Sequence, residues 1–186
     1  MMNEEQVREL LKANDKIMEI LRIVQALKLK DSWLCAGTIR NFLWDYLTNQ
    51  VPKFASDVDV AFYDKAISYE ETLVLEQKLK KKYPQFNWEL KNQAFMHLHN
   101  PDTQPYKSAQ DAIARFPEKC TAIGARLDEK DEIELFLPYG LEDILQMIVQ
   151  PTPYFLKNDE VREIYNQRVD RKNWVGRYSG LRVFRA

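Results

Sequence analysis

The chain has 186 residues, 45% of them hydrophobic and 30% charged, with 5 Gly and 8 Pro; this excludes a disordered or fibrous protein and predicts one folded domain with one cleft. A formal net charge of -1 gives no global attraction for nucleic acid or anionic lipid. No apolar run exceeds four residues, against the roughly 20 that span a bilayer. The start, Met1 to Glu5, lacks a basic region followed by an apolar core, so a cytoplasmic protein is expected. Cys35 and Cys120 lack CxxC spacing, which speaks against a disulfide framework or structural zinc.

In chain order, residues 4 to 28 predict a helix, because Val7, Leu10, Leu11, Ile17, Met18, Leu21 and Val24 recur at helical spacing. The apolar run Trp33 to Ala36 predicts a short strand, and Gly37-Thr38 then opens a second helix with Ile39, Phe42, Leu43, Tyr46 and Leu47 on one face. After Pro52, Asp57 to Phe62 alternates with the period of a half-buried strand, turning Val58, Val60 and Phe62 to the core. Residues 69 to 82 read as a helix ending in Lys80-Lys81-Lys82 before Pro84. Phe86, Trp88 and Leu90 alternate with polar residues as another strand, which Ala94 to His99 extends.

Pro101 and Pro105 mark a loop, and Ser108 to Arg115 a short helix capped by Ser108 and ended by Pro117. Thr121 to Leu127 and Glu132 to Leu137 predict an antiparallel pair joined by an acidic turn. Helices follow at Leu141 to Val149 and at 158 to 172. The expected class is α+β: a small mixed sheet of four or five strands with flanking helices and a helical C-terminal part. All of it is expected to form a single domain over 1–186, with an N-terminal helix in 1–30 and the C-terminal part over about 140–186.

The chemistry concentrates in a few residues. Asp57 and Asp59 are two apart on a predicted strand, so their carboxylates share a face with Cα atoms roughly 6 to 7 Å apart. Two such anions repel, and a hard divalent cation relieves the repulsion. Glu89, on the polar face of a second strand, supplies a third carboxylate if the strands are neighbours. Gly37-Thr38 opens a helix, where free N–H groups favour phosphate and glycine lets a ligand approach the backbone.

The glycine turn after an apolar strand, followed by Asp57-Val58-Asp59-Val60, resembles the signature of the polymerase-beta-like nucleotidyltransferases. The blocks Trp88 to Gln93, Thr121 to Leu127 and Pro138 to Asp143, with Arg40-Asn41, look like a bacterial nucleotidyltransferase-like family of unknown substrate over most of residues 30 to 175. One departure is the 18 residues between Thr38 and Asp57, more than is common in the superfamily.

The resemblance implies Gly37, Thr38, Arg40 and Asn41 at the nucleotide phosphates, and Asp57, Asp59 and Glu89 as catalytic ligands of Mg²⁺ or Mn²⁺. It implies two-metal transfer of a nucleoside monophosphate from a nucleoside triphosphate to an acceptor hydroxyl on a small molecule, RNA or protein. Asp59 is then the ligand bridging both ions. The rival reading is a nucleotide-binding or protein-interaction module that keeps the fold without turnover.

Each residue also has a plainer reading. Glu89, Lys91 and Arg126 suit a solvated strand face, and Arg40 suits an ion pair with Asp45. His97 and His99, on one face if extended, mimic a metal pair but read better as surface residues, and Trp44 and Trp174 as packing. Residues 157 to 186 hold eight Lys or Arg against four acids, and Asp128 to Glu134 five acids and one Lys; both read best as solvated surfaces. The sequence contains no GxxxxGK, GxGxxG, HExxH or GxSxG motif.

Overall fold

A computed structural model of the chain describes residues 2–99 and 103–186. The N-terminal segment forms two helices where periodicity alone predicts one: α1 (Glu4–Lys12) and α2 (Asp15–Ala26). The apolar stripe runs through the junction, but Asn14 has extended backbone and its side chain accepts from the Ile17 N–H, which starts a new helix. Val7, Leu11, Ile17, Ile20 and Leu21 are wholly buried and open the main core.

Strand β1 (Trp33–Cys35) turns through Ala36, at φ 57°, into α3 (Gly37–Leu47). Next come β2 (Val58–Phe62) and α4 (Tyr69–Lys82), the latter with the predicted bounds. A capping box between Ser68 and Glu71 starts α4, and its last turn carries the three lysines, which complement the helix dipole.

Strand β3 (Trp88–Asn92) ends earlier than predicted. Gln93–Met96 is a helical turn, α5, and His97–His99 a 3-10 turn, so the two histidines do not share a strand face. The cause is buried Asn92, whose side chain accepts from the Asp64 and Ala94 N–H groups and donates to the Asp64 and Ile67 carbonyls. That side chain caps the new turn and leaves the strand no continuation. Of the predicted loop prolines, Pro101 lies outside the described residues and Pro105 is in irregular backbone.

Helix α6 (Ala109–Ile113) is capped by Ser108, as predicted, and leads through 114–123 to β4 (Gly124–Leu127) and β5 (Ile133–Phe136). The helix predicted over 141–149 is a single turn, α7 (Glu142–Leu145). Met147 adopts φ 54°, and Ile148–Val149 is instead a short strand, β6, pairing in parallel with β7 (Arg182–Val183). Between β6 and β7 run α8 (Asp159–Lys172) and α9 (Trp174–Arg177).

The main sheet has five strands in the order β3-β2-β1-β4-β5. Only β2 and β3 are parallel; β1 is antiparallel to both β2 and β4, and β4 to β5. Leu34, Val58, Val60, Phe62, Trp88, Leu90 and Ala125 face one side, in the main core with the N-terminal helices. The register places Cys35, Asp59 and Glu89 in one row on the other side, with Trp33, Ala61 and Lys91 in the next. On that second face Trp33, Cys35 and Ala61 are buried in a smaller cluster with Ala109 and Ile113 of α6.

Candidate active site

Three short stretches meet at the C-terminal end of β1 and the start of β2. The N-cap residue Ala36 offers α3 no side-chain cap, so the first-turn N–H groups of Gly37, Thr38 and Ile39 are left without intrahelical partners. Gly37 lies between charges: a Cβ there would stand 3.6 Å from the Arg40 guanidinium, 3.8 Å from the Asn41 amide and 3.9 Å from the Asp59 carboxylate. Glycine therefore leaves open the space that a phosphate needs between cation and carboxylate.

Arg40 is buried and makes no ion pair among the described residues. Its guanidinium stacks between two indoles, 5.0 Å from the Trp44 ring centre and 4.7 Å from that of Trp174. It donates to the Thr121 hydroxyl at 2.6 Å and to the Asn41 side-chain oxygen at 2.9 and 3.2 Å. Burial lowers its pKa from the ordinary arginine value, but a guanidinium keeps its proton. Asp45, the partner the sequence offered it, instead holds Arg177 at 2.9 and 3.1 Å and accepts from the Tyr178 hydroxyl at 2.9 Å. A buried cation with neutral partners is poised for an anion.

Asp59 faces Glu89 directly across the parallel β2-β3 pair. Its carboxyl is pushed up to about 6, first by burial and then by the negative charges of Glu89 and Asp57, against the pull of Arg40 and Lys91. Asp57 precedes β2, and its carboxylate accepts from the Asn87 amide. Glu89 pairs with Lys91 at 3.5 Å. In this arrangement no three His, Cys, Asp or Glu side chains among the described residues close on one point as metal ligands. The donor chemistry still fits a hard cation: carboxylate oxygens from Asp57, Asp59 and Glu89, whose charges add to burial in raising Asp59.

The remaining predicted residues divide. Asn41 lines a cavity of about 240 Å³ together with Gly37, Arg40, Asp57 and Asp59. Thr38 does not line that cavity; its side chain is buried, the hydroxyl donating to the Asp57 carbonyl at 3.1 Å. The long Thr38 to Asp57 interval is filled by the rest of α3 and the irregular segment 48–57, which brings Ser56 within 3.4 Å of Asn41.

The sequence reading missed the other wall of this cavity. Arg168 and Lys172 from α8, with Trp174 and Arg177 from α9, line it opposite Gly37. Arg168 is fixed by the wholly buried Glu118, and Arg177 by Asp45. Lys172 is exposed, with no ion pair among the described residues. The excess of Lys and Arg in the tail was legible; that it folds back onto the glycine turn was not.

A larger cavity, about 490 Å³, opens on the other side of Asp59 over the same sheet face, with Cys35, Ala61 and Lys91 among its lining residues. Both cysteines are free and buried, and burial pushes the Cys35 thiol well above its ordinary value. No described helix is long and apolar enough to cross a membrane.

Comparison with known proteins identifies the family and the fold. A family described as "Nucleotidyltransferase" matches residues 22–183. A solution NMR structure described as revealing a CCA-adding enzyme head domain is 46% identical, covering 99% of this chain and 97% of that one, with a TM-score of 0.93. The Bacillus stearothermophilus CCA-adding enzyme in complex with CTP shares the fold at 16% identity and a TM-score of 0.51, over 90% of this chain and 40% of that one. Another CCA-adding enzyme with CTP does so at 10% identity and a TM-score of 0.52, over 96% and 48%. The chain thus spans less than half the length of those two enzymes. No curated protein sequence matches it.

Proposed function

This chain belongs to the nucleotidyltransferase family, and from that premise we propose that it transfers a nucleoside monophosphate from a nucleoside triphosphate to an acceptor hydroxyl, dependent on Mg²⁺ or Mn²⁺. One observation carries the reading: the Asp59 carboxylate and the Arg40 guanidinium, which has no ion pair among the described residues, converge on Gly37 at the unsatisfied start of α3.

The triphosphate lies in the smaller cavity, its charge met by Arg40, Arg168, Lys172 and Arg177 and by the first-turn N–H groups of Gly37 and Thr38. The Asn41 amide adds a neutral donor, and the Thr38 hydroxyl braces the Asp57 carbonyl. Asp57, Asp59 and Glu89 hold the divalent ions, which when bound supply Lewis acidity toward the α-phosphate and the acceptor hydroxyl. Asp59, nearest the phosphate cradle, would serve both ions, and Glu89, facing it across the strand pair, would hold the ion that activates the acceptor hydroxyl.

The CTP bound by the two longer enzymes supports a nucleotide in this fold. The alternative, a binding module without turnover, draws support from the present separation of the three carboxylates.

The test is thermal melting with each nucleoside triphosphate, with and without Mg²⁺, followed by pyrophosphate release. We expect metal-dependent stabilisation, and a loss of release of about 100-fold or more in Asp59→Asn with the fold retained. Stabilisation that ignores metal, with no pyrophosphate from the wild type, leaves the binding module. Unaltered release from Asp59→Asn removes the site assignment.

A further inference from the structure

We propose that the larger cavity beside Asp59 is the acceptor site, and that it takes a small uncharged alcohol carrying a flat ring. This rests on the nucleotidyl-transfer reading and names its second substrate. Ala36 and Asp59 line both cavities, so the two spaces meet at the carboxylate. Displacement at the α-phosphorus is in line: the alcohol oxygen bonds to phosphorus as the bond to the β-phosphate oxygen breaks. Pyrophosphate leaves with that electron pair, and the hydroxyl proton passes to solvent. With the leaving group in the cationic cavity, the alcohol enters from the opposite side of Asp59, where the larger cavity lies.

The lining chooses the class of alcohol. Its volume of about 490 Å³ falls within the range of small-molecule sites. The small side chains of Cys35 and Ala61 leave the sheet floor open, while Phe116, Tyr154, Phe155 and Ile164 supply apolar walls. A nucleic-acid strand needs uncompensated cations along its path. Here the lining carries two cations, Lys91 and Arg115, the second paired with Asp111 at 3.0 Å, too few to track a strand of phosphates. What remains is a mostly apolar, aromatic-walled slot with the Asp59 carboxylate at the end it shares with the cationic cavity.

The test uses ¹⁵N-labelled protein and three probes: tyrosol as the ring-bearing alcohol, a non-hydrolysable ATP analogue with Mg²⁺, and a single-stranded RNA pentamer. Tyrosol is expected to shift the amides of Ala61, Phe116 and Ile164 saturably. Ile164→Trp, at a position 37% exposed on α8, fills the cavity and is expected to weaken tyrosol at least about tenfold while the analogue still shifts Gly37, Thr38 and Asn41. Ala61→Leu serves the same purpose should Ile164→Trp fail to fold. The proposal is overturned by an absence of saturable tyrosol shifts, by unchanged tyrosol affinity in the folded variant, or by tighter binding of the pentamer or the analogue's base at those amides. An analogue that leaves residues 37–41 unmoved in the wild type counts against nucleotidyl transfer itself, and the tyrosol shifts still judge the cavity.

Discussion

Gly37 and Asp59 show how single residues here trade stability for binding. The contacts awaiting a Cβ at Gly37 are of ordinary van der Waals length, and alanine in a helix is favoured over glycine by roughly 0.5–1 kcal/mol. Gly37→Ala is therefore expected to melt slightly higher than the wild type, yet to bind nucleoside triphosphate about tenfold more weakly, because its methyl enters the space between Arg40 and Asp59. Calorimetric melting and titration check both halves. At Asp59 the folded pKa of about 6 lies above the ordinary value of 3.8, so the folded state holds the extra proton between these limits. Metal-free stability should consequently fall as pH rises from about 4 to above 6, by an amount on the order of 3 kcal/mol. Asp59→Asn should flatten that dependence in chemical denaturation, and Mg²⁺ should offset it in the wild type. The acid pair and the glycine turn stood in the sequence as a spaced motif. The indole sandwich around Arg40 did not, because Trp174 reaches it only through the fold.

Among the elements, caps explain both the successes and the failures of pattern reading. Ser68, Glu71 and the three lysines of α4 punctuate the same helix that its periodicity implies, and the bounds agree. At Asn14 the apolar stripe continues while the backbone breaks, so the periodic signal hides the junction. At Asn92 a side chain with four backbone partners outweighs the alternation of the following residues. Asn92→Ala would strand those buried groups, and equilibrium denaturation is expected to show a loss of about 2–4 kcal/mol. The break after α7 rests on a left-handed Met147 and a strand partner at Arg182, neither of which a local window contains.

At the scale of the molecule, the C-terminal part is tied across the site. Asp45 and Arg177 are 132 residues apart, and Glu118 anchors Arg168 from beneath α8. Along α8, Val161 and Ile164 face the larger cavity while Arg168 and Lys172 face the cationic one, so one rigid element walls both. Amide hydrogen exchange in 159–178 is expected to slow when ATP and Mg²⁺ are added, with the β4-β5 hairpin unchanged as the internal control. Lys172→Ala, at an exposed site without an ion pair among the described residues, should leave the melting temperature in place and weaken triphosphate binding about three- to tenfold, most clearly at low salt. None of these long-range ties is visible in sequence, since a solvated basic helix and a phosphate-facing one have the same local composition.

The guanidinium held between Trp44 and Trp174 also makes the protein its own optical gauge. Indole emission follows the local electric field, and a polyanion arriving beside Arg40 alters that field at two of the four tryptophans, while Trp33 and Trp88 pack elsewhere in the sheet. Occupancy of the cradle can thus be read without a label as a change in ultraviolet fluorescence that Trp174→Phe diminishes.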